Sequence, residues 1–467
     1  VGFASPSQGQ GDLGLTALAR KQRNLSKSGG EMTKTSSKLG IIILVILLLS
    51  IPLIAACNSS DNDDEVTPTK PPTSTDTPNP SDTPNPSDTP ISEPVEITIG
   101  NLTDMTGVSA NGVAPINMAL ADMVRYYNEN NLIPGVELKI ESYDGQYNPS
   151  KDIPGYEWLL ERGADLIFTP VPPTPATLRA RVDQDKIVLF TASGNLNDLI
   201  PPGYVFGIAS IPQWEAPTLL KWIAENDLDF PSGRPAKIGG ASWTDGYSAS
   251  FFGEMEAYAE AHPDQYEWVE GRLTNFSFTW GPEVEALKDC DYVFPNIIMN
   301  TFVKEYRAAG YTAKLIGGDP HGAFLDLLGK EGLWDEVDGM YAIRCYTWWN
   351  EDAPVINLAK QLLNDYHPNE AESVIRSGVS YIAVGPIYIM LELIKATVEA
   401  VGAENFSSEA LYETAQSFSI DVDGNIHSFS DTKRVSTGGE TIFEYRADIE
   451  DLVRIEPEWL PVVTPPY

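Results

Sequence analysis

From Glu96 onward, short apolar runs alternate with longer segments whose apolar residues recur at helical spacing. Glu96–Gly100 alternates like a strand, and beyond Pro115 the residues Ile116, Leu120, Met123, Val124 and Tyr127 share one helical face. Pro115 is suited to the first position of that helix, and Pro134-Gly135 ends the unit. Val136, Leu138 and Ile140 alternate as the next strand, and a helix is expected over Ile153–Arg162. The apolar stretch Leu166–Phe168, a helix from Pro175 and a strand at Ile187–Phe190 follow. A second block repeats the pattern. Helices are expected at Trp214–Glu225, Ser248–Ala261 and Thr301–Ala309, and strands at Lys237–Ala241, Asp291–Phe294, Leu315–Gly318 and Met340–Cys345. The longest amphipathic segment is Ser380–Val401. Strands this short and apolar, alternating with helices, predict an α/β fold of parallel sheets covered by helices. Two such units would leave a cleft between the carboxyl ends of their strands, where open α/β sheets take ligands.

The N-terminal fifth breaks this pattern. Ile41–Leu49 is a continuous apolar run, about half the ~20 residues of a spanning helix, and small residues follow it up to Cys57. With Met32–Lys38 as a basic n-region, residues 32–57 read as a signal peptide, and residues 1–31 as an upstream extension. The cysteine directly after Ala56 resembles a bacterial lipobox, with Ile54 where leucine is usual, and makes Cys57 the residue to be lipidated. An uncleaved anchor is the alternative, and in both cases the rest of the chain lies outside the membrane. Residues 58–95 are rich in Pro, Ser, Thr and Asp and repeat a hexapeptide at Asp76, Asp82 and Asp88. With little to bury, they are expected to be a disordered, polyproline-biased tether reaching roughly 35 Å as a coil and up to ~100 Å extended.

Charge narrows the possible partners. The chain of 467 residues carries a net charge of -35, and residues 1–57 contribute +4 from six basic and two acidic side chains, leaving -39 on the remainder. Such a surface repels phosphate backbones, which excludes nucleic acid, and it cannot adhere to anionic lipid unaided. Membrane attachment then rests on lipid at Cys57. The four histidines and three cysteines form no cluster at ligand spacing, so neither a metal nor any cofactor is expected. A Cys290–Cys345 disulfide is possible by count.

The ordered series Ile99-Gly100, Met105-Thr106-Gly107, Tyr143-Asp144, Glu161–Asp165, Ile187–Gly194, Trp243–Ser248, Gly317-Gly318-Asp319 and Glu456–Trp459 resembles the type I solute-binding proteins, specifically the branched-chain amino-acid (Leu/Ile/Val-binding) receptors of ABC transporters. The resemblance implies two Rossmann-like lobes joined by three crossings near Ile208, Tyr346 and Thr432. Residues 96–208 and 346–431 would form the first lobe, and 209–345 and 432–467 the second. In such proteins the first lobe holds the ligand and the second closes over it.

Carried over position by position, the resemblance implies ligand contacts at Thr174, at the turn Ala192-Ser193-Gly194, at Trp243 and Tyr247, and at Asp319 as partner of an α-amino group. The first-lobe loop departs from the family: Thr169–Thr174 is proline-rich where a Gly/Ser turn is usual, and only Thr174 can offer a hydroxyl. Four of these residues also have a plainer structural reading: Asp319 in a turn, Tyr247 packed at a helix start, and Ser193 and Thr174 as helix caps. The implied function is a lipid-anchored, extracytoplasmic receptor that binds an amino acid, amide or aromatic acid and passes it to an ABC permease in the membrane. A sensor of the same fold is the alternative. A secreted hydrolase is the third reading, supported only by abundant carboxylates. No Gly-x-Ser-x-Gly elbow and no P-loop occurs in the sequence, and the chain is read as a non-enzyme.

Overall fold

The computed structural model describes residues 93–467. The expected signal peptide, Cys57 and nearly all of the expected tether lie outside the described residues. The first sheet is built from β1 (Val95–Thr103), β2 (Val136–Asp144), β3 (Leu166–Thr169), β4 (Leu189–Thr191) and β5 (Val205–Gly207), all parallel in the order β2-β1-β3-β4-β5. Alternate residues feed opposite faces. Leu166 and Phe168 pack with Leu120, Met123 and Tyr127 of helix Ala110–Glu129 and with the apolar helix Val384–Val401. Ile167, Leu189 and Val205 point the other way, toward Tyr156, Leu159 and Leu178 of helices Asp152–Glu161 and Thr174–Asp185.

The second sheet contains β6 (Ala236–Trp243), β7 (Tyr266–Thr274), β8 (Tyr292–Phe294), β9 (Lys314–Gly317) and β10 (Tyr341–Arg344), parallel in the order β10-β9-β8-β6-β7. A small separate hairpin, β11 (Ser419–Val422) and β12 (Asn425–Ser428), turned by Asp423-Gly424, follows in the chain. Both turn residues have positive φ, as the tight two-residue hairpin turn requires. β13 (Gly439–Arg446), β14 (Asp451–Arg454) and β15 (Leu460–Pro461) then complete the second sheet antiparallel, a departure from the all-parallel expectation.

Three passages link the sheets, and they are tied to one another. The Tyr346 hydroxyl donates to the Ile208 carbonyl. Gly207 N–H donates to Arg434 O at 2.7 Å, and Ser436 N–H to Gly207 O at 2.8 Å. The Asn425 amide donates at 2.9 Å to both Cys345 O and Gly439 O, and Tyr346 stacks on His427 with centroids 5.1 Å apart.

Two local expectations are corrected. Pro115 lies inside helix Ala110–Glu129 rather than at its start. Asp104 accepts from Gly107 N–H at 2.5 Å and Ser109 N–H at 2.9 Å, which fixes the preceding turn and starts the helix early. Cys290 and Cys345 are both free, buried thiols, so the disulfide allowed by count is not formed. Burial pushes the Cys290 thiol up to about 12. Helix Ser380–Val401 is long and apolar enough to cross a membrane, but 78% of its apolar 18-residue window is buried within the protein, where it serves as the central core helix.

Candidate functional site

Parallel strands put their carboxyl ends on one edge, so each sheet gathers its loops there. From the first sheet come Asp104, Asp144, the Thr169–Thr174 loop and Thr191–Gly194; from the second come Trp243–Tyr247, Asn296, Gly318–His321 and Arg344. The two edges meet. Val379, on a turn packed against helix Ala110–Glu129, donates its N–H to Gly322 O at 2.8 Å. The preceding Gly378 has φ +113°, and a Cβ there would collide with the Gly322 carbonyl, so only glycine permits this approach.

The turn Ala192-Ser193-Gly194 is held from within the first lobe. Ala192 N–H donates to Thr169 O at 3.1 Å, and the Thr191 hydroxyl accepts from Ser193 N–H at 3.1 Å and donates to Ser193 O at 2.8 Å. Ala192 and Ser193 remain half-buried. Thr174 is fully buried, and its hydroxyl lies 3.4 Å from the Asp152 carboxylate. Burial pushes Asp152 up to about 6, against the pull of the Thr177 and Thr174 hydroxyls. The Thr174 hydroxyl is therefore engaged inside its own lobe.

On the second lobe, Trp243 donates its indole N–H to Ser277 O at 2.6 Å and packs between Phe276 and Phe278, with centroids 5.3 and 5.4 Å away. These rings make an aromatic rim, since Phe276 and Phe278 are 47% and 66% exposed. Tyr247 and Asp319 sit elsewhere, around Gly318. The Tyr247 hydroxyl donates to the Glu215 carboxylate, and both lie directly over the Gly318 Cα. Asp319 Oδ1 is 2.7 Å from Nη1 of Arg344, whose side chain is 1% exposed. Burial raises the Asp319 carboxyl, with Arg344 pulling it back. The guanidinium also lies over the Trp348 ring at 4.6 Å, yet its nitrogens find no aligned hydrogen-bond acceptor among the described residues.

Sequence reasoning missed the rest of this cluster. Glu215, on helix Pro212–Asn226 just past the first passage, is 3% exposed, and Glu440, at the start of β13, is fully buried. Burial raises Glu215 well above the usual carboxylate range, with Glu440 and Asp319 adding repulsion. Burial likewise pushes Glu440 up to about 7 against the Ser210 and Thr218 hydroxyls. A signal was present: Glu215 interrupts an apolar helix, and Arg344 sits within the apolar run of β10. His321, in contrast, is neutral and structural. Its ring lies between Gly318 N and Pro295 O, both at 3.2 Å, and burial lowers it to about 4.

The structure thus gathers Tyr247 and Asp319 with Glu215, Glu440 and Arg344, keeps Ala192–Gly194 on the opposing edge, and sets Thr174 and Trp243 apart. A family model described as periplasmic binding protein matches residues 96–444. No curated protein matches the chain. Among solved structures, a branched-chain amino acid ABC transporter protein from Thermus thermophilus with bound valine superposes with TM-score 0.68 at 18% identity, covering 80% of this chain and 97% of that one. A fatty acid ABC transporter substrate-binding protein from Thermomonospora curvata gives 0.65 at 16%, covering 80% and 93%. A solute-binding protein from R. palustris in complex with 4-hydroxybenzoate gives 0.62 at 16%, covering 79% and 97%.

Proposed function

Because the chain belongs to the periplasmic binding protein family, we propose that it is the lipid-anchored solute receptor of an ABC importer, capturing a small solute by closure of its two lobes. The observation that carries this reading is the pair of opposed strand edges, joined by three interlocked passages and lined on the lid side by buried charge. Relatives of this fold were solved with valine and with 4-hydroxybenzoate, and an amino acid or aromatic acid is the solute class proposed here. Half-buried Ala192 and Ser193 supply backbone groups on the first lobe, Tyr247 and Asp319 supply polar groups on the second, and the aromatic rim at Trp243 flanks the entrance. Thr174 contributes through Asp152 rather than by direct contact. No covalent step is asked of these residues.

Lipid on Cys57 and the tether over residues 58–95 would keep a strongly acidic domain within reach of a membrane permease. One acyl chain binds only marginally, so the anchor requires more than one. The test is a thermal-shift screen of residues 58–467 with amino acids, amides and aromatic acids, L-valine and 4-hydroxybenzoate included. A solute at a hundred times its Kd stabilises by about 2.7 kcal/mol, a readily measured shift. A well-folded preparation that no solute shifts contradicts the reading.

A further inference from the structure

The two lobes touch at two places beside the candidate solute contacts, and each time a side chain is seated on a glycine. Asn195, which follows the Ala192–Gly194 turn, faces Gly246, which precedes Tyr247; a Cβ at position 246 would lie 3.3 Å from Asn195 Nδ2. Phe324 reaches from the second lobe to Gly112 on helix Ala110–Glu129 of the first. A Cβ at position 112 would lie 3.3 Å from Phe324 Cζ and 3.8 Å from Cε1, and outside the helix itself no other atom among the described residues comes within 4 Å of it. Phe324 closes the turn Asp319–Phe324, which opens on the candidate solute contact Asp319. That turn is stiff. His321 is fully buried between Gly318 N and Pro295 O, and Gly322 O accepts Val379 N–H from the first lobe at 2.8 Å. Leu325, next in the chain, is buried, and its helix Leu325–Glu331 packs on helix Ala371–Ser377 of the first lobe.

We propose, taking the receptor reading above as premise, that Phe324 is a latch: its ring, seated on Gly112, holds the lobes closed and so sets solute affinity and residence time without touching the solute. The seat depends on glycine. Carbon atoms pack best at about 3.5–4.0 Å, so even an alanine methyl at 112 would crowd the ring, and a branched side chain would displace it. Ring and seat belong to different lobes, so the apolar surface they hide from water is hidden only when the lobes are closed. An interaction made in one state alone shifts the population toward that state. If losing the latch cuts the closed fraction to about a tenth, solute affinity falls about tenfold, because the closed lobes are the form that holds solute. Asp319 and Phe324 end one stiff turn, so solute contact and latch engage together, and Phe324 is a positioning residue.

The wedge that tests this is Gly112→Leu. Gly112 is the third residue of its helix, leucine favours a helix over glycine, and only Phe324 crowds the position from outside, so the variant should fold. Hydrogen exchange of solute-free residues 58–467 reads the seam directly, because Val379 N–H is bonded across it. Peptides containing Val379 should exchange at least about tenfold faster in Gly112→Leu and in Phe324→Ala than in the wild type, with peptides from β3 and β8 unchanged. Phe324→Leu, which keeps an apolar side chain, should recover part of the protection. For a solute that raises the melting temperature, Gly112→Leu should weaken Kd about tenfold through faster release. Should Gly112→Leu not fold, Phe324→Ala decides alone. Wild-type exchange at Val379 in the variants, faster exchange spread equally over β3 and β8, or unchanged solute affinity overturns the latch. The exchange measurement contains no solute, so a chain that binds none contradicts the receptor reading while exchange still decides the latch.

Discussion

Replacing Gly318 with alanine probes the lid-side cluster through a single methyl group. Gly318 has φ -113° and ψ -170°, extended backbone open to any residue, so alanine adds no conformational strain. The cost is steric. Its Cβ would fall inside van der Waals contact of the Tyr247 hydroxyl and the Glu215 carboxylate, and 3.2 Å from Tyr247 Cζ. Both neighbours are buried, and Tyr247 is wedged against Phe251 at 5.9 Å, so neither can swing aside freely. Breaking the Tyr247–Glu215 hydrogen bond forfeits roughly 1–2 kcal/mol, and overpacking adds roughly 1–3 kcal/mol. The expected loss is about 2–5 kcal/mol, read as the drop in urea-unfolding free energy of residues 58–467. Tyr247→Phe removes the hydroxyl beforehand and should cost about 1–2 kcal/mol alone. The double variant should then fall short of additivity by at least about 1 kcal/mol. A Gly318→Ala protein within about 1 kcal/mol of wild type, or strict additivity in the cycle, refutes the packing described around Gly318.

Arg344→Met strips the buried cation from Asp319, whose side chain is 33% exposed and so partly solvated, and should destabilise by up to about 3 kcal/mol in the same assay; adding Asp319→Asn should restore part of the loss. Recovery failing to appear would mean that the 2.7 Å pair is not the guanidinium's main partner. Thr174→Val removes a donor to Asp152 and should cost about 0.5–1.5 kcal/mol of stability while leaving the affinity for a screened solute within twofold. A tenfold loss of affinity would place Thr174 in contact with solute after all. Cys57→Ser, expressed in a bacterium with lipoprotein processing, should release the domain into the medium or leave it unprocessed, with affinity unchanged. Its retention at the membrane in processed form would exclude Cys57 as the anchor.

The alternation of strands and helices was legible because each strand of the parallel core is buried on both faces and reads as a short apolar run; Leu166–Phe168 and Asp291–Phe294 show this plainly. β7 escaped notice because it is an edge strand: Tyr266–Thr274 alternates buried or half-buried with exposed positions and carries Glu267, Glu270 and Arg272. The antiparallel strands β13 to β15 have no helix between them to announce a crossover. Loops at the strand ends were located by position, which gave Ser193, Tyr247 and Asp319, but what each side chain touches depends on pairings across long stretches of chain. Glu215, Asp319 and Glu440 are drawn from three separate parts of the sequence, and only the closing of the second sheet by β13 brings them together. Thr174 shows the same limit. Its hydroxyl suggests a ligand contact from position alone, and its 3.4 Å approach to Asp152 is visible only in the fold.

The central claim is that the interlobe cleft captures a small solute and releases it unchanged. The direct measurement is isothermal titration of residues 58–467 with the solutes that raise its melting temperature, followed by chromatography of the recovered solute. Saturable 1:1 binding with a Kd on the order of micromolar, about -8 kcal/mol, and a chemically intact solute is the predicted result. Absence of saturable binding by every amino acid, amide and aromatic acid tested, or conversion of the bound solute into product, would contradict it.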